Sequence, residues 1–80
     1  MGYRVRFSKT AEKYLDTQPT TIRQRIIDAV YELPKGDVTK LQGRDGYRLT
    51  VGSFRVLFDF VDTSIIKVRA IGPRGYIYKK

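Results

Sequence analysis

The chain has 80 residues with 16 Lys and Arg against 8 Asp and Glu, a formal net charge of +8. A chain this short supports one domain and one core, burying only about 60% of its unfolded surface, and its charge draws it to polyanions. With no cysteine and no histidine, disulfides, thiol catalysis, the usual zinc ligands and the usual general base are excluded, so neither a metal nor another cofactor is expected. No stretch approaches the roughly 20 apolar residues of a membrane span, and Met1 to Thr10 is charged where a signal peptide would be apolar. The expectation is a soluble, cytoplasmic protein with no membrane partner.

Tyr3-Arg4-Val5-Arg6-Phe7 alternates apolar and basic residues, the period of a half-buried strand. Ser8 then reads as the cap of a short helix over Lys9 to Asp16, with Ala11, Tyr14 and Leu15 on its inner side and Glu12 near its positive end. Asp16-Thr17-Gln18-Pro19 breaks it. Pro19 suits the first turn of a second helix running to about Leu33, with Ile22, Ile26, Ala29, Val30 and Leu33 inward. Outward lie Arg23, Arg25, Asp28 and Glu32, with Arg25 spaced to meet Asp28. Pro34-Lys35-Gly36-Asp37 ends the helix, and Val38 to Arg44 reads as a loop. Strands are predicted over Tyr47 to Val51, Phe54 to Val61 and Ile65 to Ile71. The fold class is α+β: residues 1–80 as one domain in the order β-α-α-β-β-β, the last three strands an antiparallel meander with both helices on one face.

Parity fixes the register. A two-residue turn at Gly52-Ser53 pairs Val51 with Phe54, Leu49 with Val56 and Tyr47 with Phe58, one continuous apolar face on which Tyr47 packs into the core. A three-residue loop at Asp62-Thr63-Ser64 extends that face by pairing Phe60 with Ile66, Phe58 with Val68 and Val56 with Ala70. The opposite face then receives Arg48, Thr50 and Arg55, with Asp59 opposite Lys67, Leu57 between Arg48 and Arg69, and Arg55 between Thr50 and Ile71. Arg48 and Arg55 become diagonal neighbours, about 7–8 Å apart, close enough to share one phosphate or hold two successive ones. Gly72-Pro73-Arg74-Gly75 reads as a turn leaving Arg74 at the sheet edge, followed by Tyr76, Tyr78, Lys79 and Lys80. Arginines clustered without matching acids select phosphate, so the expected ligand is a nucleic-acid backbone. Arg4, Arg6, Arg23 and Arg25 fit either docking charge or ordinary surface.

Lys40-Leu41-Gln42-Gly43, Gly46-Tyr47-Arg48-Leu49-Thr50-Val51-Gly52, Phe54-Arg55-Val56-Leu57-Phe58 and Gly72-Pro73-Arg74-Gly75-Tyr76-Ile77-Tyr78 together resemble the RelE family of the RelE/ParE toxin superfamily, over nearly the whole chain. The resemblance implies a type II toxin–antitoxin toxin: a ribosome-dependent messenger-RNA endonuclease (an mRNA interferase) that stops translation. Its implied partners are messenger RNA in the ribosomal A site, ribosomal RNA and a cognate antitoxin. It implies a catalytic set of Arg48, Arg55, Arg74 and Tyr78, and RNA contacts from Lys40, Arg44, Thr50, Arg69, Tyr76, Lys79 and Lys80. Thr50 stands where some members carry a second lysine, Pro73 where many carry histidine, and Tyr76 competes with Tyr78 for the aromatic role. The ParE branch, a gyrase inhibitor of the same fold that cuts nothing, and a cleavage-inactive RNA-binding RelE homologue are the alternative readings.

RNA is cut when its 2′-hydroxyl attacks the adjacent phosphorus, which needs a proton acceptor, anion stabilisation and a proton for the leaving 5′-oxygen. A fixed cationic donor contributes about 3–4 kcal/mol in a dry site. Bringing a tyrosine from about 10 to near 7 takes roughly 4 kcal/mol of phenolate stabilisation, which adjacent arginines can supply. Without histidine the chain alone is expected to be a feeble catalyst, dependent on a larger body to align the RNA.

Overall fold

Strand alternation and helical spacing are both realised in the computed structural model, which describes residues 3–43 and 45–74. In chain order the elements are β1 (Arg4–Phe7), α1 (Lys9–Asp16), α2 (Thr20–Tyr31), β2 (Asp37–Lys40), β3 (Tyr47–Val51), β4 (Phe54–Asp62) and β5 (Ile65–Pro73). The strands form one five-stranded sheet in the order β1-β5-β4-β3-β2. β1 runs parallel to β5, and the remaining neighbours are antiparallel.

The helices cover one face of this sheet. Ala11 and Leu15 of α1, Ile26 and Val30 of α2, and Leu33 beyond it pack on Leu49, Val51, Val56, Phe58, Ile66, Val68 and Ile71. Each large apolar side chain withdrawn from water in this way contributes about 1.5–3 kcal/mol. No polar or charged side chain among the described residues is buried to offset that gain. Tyr47 belongs to this layer as expected, stacking on Phe58 at 5.6 Å between ring centres and meeting Phe60 edge-on at 5.2 Å.

Ser8 caps α1 as its position predicted: its Oγ accepts from the Ala11 amide at 3.1 Å. Pro19 stands one residue earlier than expected, at the N-cap of α2 rather than in its first turn. The segment from Val38 to Arg44, expected as a loop, contributes strand β2 at the sheet edge. Its burial pattern explains the miss. Only Val38 is half-buried while Asp37, Thr39 and Lys40 are exposed, so pairing with β3, not apolar alternation, defines it.

The β3–β4 register is the predicted one, with Val51 opposite Phe54 and Tyr47 opposite Phe58. Gly52 takes φ 58° and Ser53 is not in the positive region, the pattern a II′ hairpin turn requires. β4 and β5 preserve Phe60 opposite Ile66 and Phe58 opposite Val68, but by a different route from the three-residue loop. Asp62 pairs with Ile65 across Thr63-Ser64, and an irregularity between Phe60 and Asp62 makes Val61 the extra residue. One added strand residue corrects the parity as one added loop residue would. Asp62 Oδ1 closes the turn by accepting from the Ser64 amide at 2.7 Å and its hydroxyl at 3.1 Å.

A second bulge falls at Arg69. Leu57 therefore faces Ala70, Val56 faces Ile71 and Arg55 faces Gly72, correcting the expected neighbours Arg69, Ala70 and Ile71. The shift buries the larger Ile71 at 2% exposure and leaves Ala70 half-buried. The bulged carbonyl is not left bare, because Ser8 Oγ donates to Arg69 O at 2.6 Å. Gly72 and Pro73 consequently extend β5 instead of forming a turn, with Pro73 opposite Phe54. Among the described residues no helix is long and apolar enough to cross a membrane.

Candidate nucleic-acid interface

The sheet face turned away from the helices carries the arginines. Register places Thr39, Arg48, Leu57 and Ala70 in one row across it, and Asp37, Thr50, Arg55 and Gly72 in the next. The predicted diagonal between Arg48 and Arg55 follows directly, with Thr50 beside Arg55. Arg6, Lys67 and Asp59 share a further row.

At the β3–β4 turn the Arg55 guanidinium is oriented by main-chain oxygens. Arg55 Nη1 donates to Gly52 O and to Phe54 O, each at 3.0 Å. The guanidinium is thus held by one nitrogen, while its Nε and Nη2 edge has no partner among the described residues. Arg74 is brought to the same turn by its amide, which donates to Ser53 O at 2.8 Å, so it lies against the hairpin rather than simply at the sheet edge. No carboxylate among the described residues forms an ion pair with Arg55 or Arg74; those present join Arg23 to Asp16 and Arg69 to Asp59. Carbonyl dipoles orient a guanidinium without cancelling its charge, so this end of the face keeps its cationic character.

A third arginine approaches that turn from the helix side. Arg25 Nη1 lies 4.0 Å from the point that a Cβ on Gly52 would occupy. The expected Arg25–Asp28 pairing is replaced, because Asp28 Oδ1 accepts from Gln24 Nε2 at 2.8 Å. The sequence carried no sign of this approach beyond an outward-facing basic residue, since turn and helix are far apart in the chain.

The opposite end of the face differs. Arg69 Nε donates to Asp59 Oδ2, and the Asp59 side chain is only 19% exposed. Its other oxygen stands 3.0 Å from where a Cβ on Gly46 would sit, and Gly46 has φ 115°, so glycine alone fits beside this carboxylate. Lys40, Tyr47, Asp59, Lys67 and Arg69 line a cavity of about 490 Å³ here. Lys40 and Arg69 are therefore gathered with each other and away from the β3–β4 turn. Arg44, Tyr76, Tyr78, Lys79 and Lys80 lie outside the described residues. Among the described residues no group of three or more His, Cys, Asp or Glu is placed to hold a metal ion.

No family model matches the sequence, and no curated protein does. Solved structures do. A chain of the archaeal RelE–RelB complex from Pyrococcus horikoshii OT3 is 33% identical, covers 95% of this chain and 99% of its own length, and superposes with a TM-score of 0.73. A chain of the RelB–RelE antitoxin–toxin complex from Methanococcus jannaschii is 30% identical over 92% of this chain and 95% of that one, with a TM-score of 0.74. A mutant of the E. coli toxin RelE in the free state, 22% identical over 99% of this chain and 90% of that one, shares the fold at a TM-score of 0.74.

Proposed function

This chain belongs to the RelE family of toxins of toxin–antitoxin systems, and from that premise we propose that it is a ribosome-dependent messenger-RNA endonuclease. The observation that carries this reading is the β3–β4 turn: the Arg55 guanidinium binds the Gly52 and Phe54 carbonyls, the Arg74 amide just beyond β5 binds Ser53 O, and no carboxylate among the described residues is paired to either arginine.

In the proposed reaction the 2′-hydroxyl gives up its proton and its oxygen bonds to phosphorus as the bond to the 5′-oxygen breaks, giving a cyclic phosphate and a 5′-oxygen that takes up a proton from water to become the free hydroxyl. The free edge of Arg55 presents two parallel donors to the non-bridging oxygens, where negative charge accumulates. Arg74, its main chain anchored to Ser53, supplies a second cation to the same phosphate or to the departing oxygen. Arg48, on the diagonal from Arg55, adds to the same field. Tyr78, taken from the family resemblance, is the proposed proton acceptor, a role that requires cationic neighbours to stabilise its phenolate. Arg69, already joined to Asp59, is left outside the cleaving set.

Nothing in this set is a strong base at neutral pH, so alignment of the message in the A site carries much of the rate. A cognate antitoxin, by analogy with the RelB of the two archaeal complexes, would silence the chain by covering this basic face or adding to the sheet. Primer extension on messages translated in a cell-free system tests the reading. Breaks at codon positions in the presence of the protein support it. Intact messages together with gyrase-dependent DNA breakage would replace it with the ParE-like activity.

A further inference from the structure

We propose that a bound single-stranded RNA does not end at the cleavage face but continues round the β3–β4 turn onto α2, where Arg25 holds one of its phosphates. The inference rests on the RNA-cleaving reading and adds a contact on a different layer of the molecule. Gly52 is its pivot. Arg55 Nη1 binds the Gly52 carbonyl at 3.0 Å, and Arg25 Nη1 stands 4.0 Å from its Cβ position, so guanidiniums from the sheet and from the helix layer flank one residue. Gly52 is exposed and carries no side chain to separate them.

Arg25 is equipped for an external anion. Asp28, its nearest acid along the helix, is tied to Gln24, and no ion pair among the described residues includes Arg25. A groove of about 500 Å³ opens beside it, lined by Thr21, Ile22, Gln24, Arg25 and Asp28. Thr21 supplies a hydroxyl to sugar or phosphate oxygens, and Ile22 gives an apolar wall. The basic surface thus turns a corner at the hairpin tip, which suits a flexible single strand and does not suit a straight duplex.

The test uses 2′-O-methyl oligonucleotides, which lack the attacking hydroxyl, in a short and a longer form, with affinity measured against salt. Arg25→Gln is expected to reduce the slope of log affinity against log salt by about 0.7 for the longer strand and to leave the short one unchanged. Arg4→Gln makes the same change beside Ser64, at the other end of the sheet, and is expected to leave both slopes as in the wild type. On programmed ribosomes Arg25→Gln should raise KM and preserve kcat. An unaltered slope in Arg25→Gln, or an equal loss in Arg4→Gln, overturns the proposed path. Wild-type protein that binds both strands but leaves messages intact sinks the nuclease reading while the Arg25 contact stands or falls on its slope. Failure to bind either strand removes both.

Discussion

The two ends of the open sheet face hold the same residue type in opposite electrostatic circumstances. At the β3–β4 turn Arg55 is steadied by two carbonyl oxygens and keeps its charge. Near the β4–β5 hairpin Arg69 is met by the carboxylate of Asp59. The pair contributes little to stability, since the Arg69 side chain is 65% exposed and solvent-screened ion pairs are worth about 0–1 kcal/mol. On the proposed reading its consequence is functional, because the Asp59 carboxylate offsets the charge that an external phosphate would meet at Arg69. Strand alternation decides which face an arginine reaches; its immediate neighbour decides whether that arginine can serve an incoming anion.

Substitutions sharpen the contrast. Arg74→Ala, at the carbonyl-steadied end, should lower single-turnover cleavage of a programmed message by about tenfold or more with an unchanged circular dichroism spectrum. A wild-type rate there would take Arg74 out of the site. Asp59→Asn works on the other end by releasing Arg69: affinity for a non-specific single strand should rise several-fold at low salt, and the salt slope should steepen by about 0.7. Unchanged binding would mean that Asp59 does not restrain Arg69. Ser8→Ala removes both the α1 cap and the donor to the bulged Arg69 carbonyl, and should cost about 1 kcal/mol, read from the denaturant midpoint. Should the midpoint stay put, the bulge does not depend on Ser8.

The smallest effect concerns the β4–β5 turn. The Ser64 amide, then its hydroxyl, holds the Asp62 carboxyl below its ordinary value. Because the folded state favours the ionised form, the resulting stabilisation is complete above the unfolded value of about 3.9 and is lost as pH falls through the depressed one. Asp62→Asn should therefore slightly flatten the acid limb of a stability–pH curve, and an unaltered limb would show that the turn bonds do not bias the carboxyl.

Much of the architecture could be read from the residues. Ser8 and Pro19 punctuate the helices, and the alternation of Tyr47 to Val51 with Phe54 to Phe60 leaves one way to bury a continuous apolar face. Strand β2 escaped because a short edge strand with a single inward Val38 has no period to detect. The Arg69 bulge escaped for a different reason: it is fixed by packing Ile71 instead of Ala70 and by a hydroxyl donated from Ser8, a residue remote in sequence. At the site, parity was enough to put Arg48, Thr50 and Arg55 on one face. It could not show that Asp59 would engage Arg69, nor that Arg25 would come from another layer to the Gly52 turn, since both depend on side-chain reach across elements.

The contrast between the two ends is tested most directly by comparing single-turnover cleavage on programmed ribosomes for Arg55→Ala and Arg69→Ala, each with its fold verified. The expected result is a loss of about tenfold or more for Arg55→Ala and a rate within about twofold of wild type for Arg69→Ala. Equal losses in the two variants, or a larger loss in Arg69→Ala, would contradict the placement of the anion site at the β3–β4 turn.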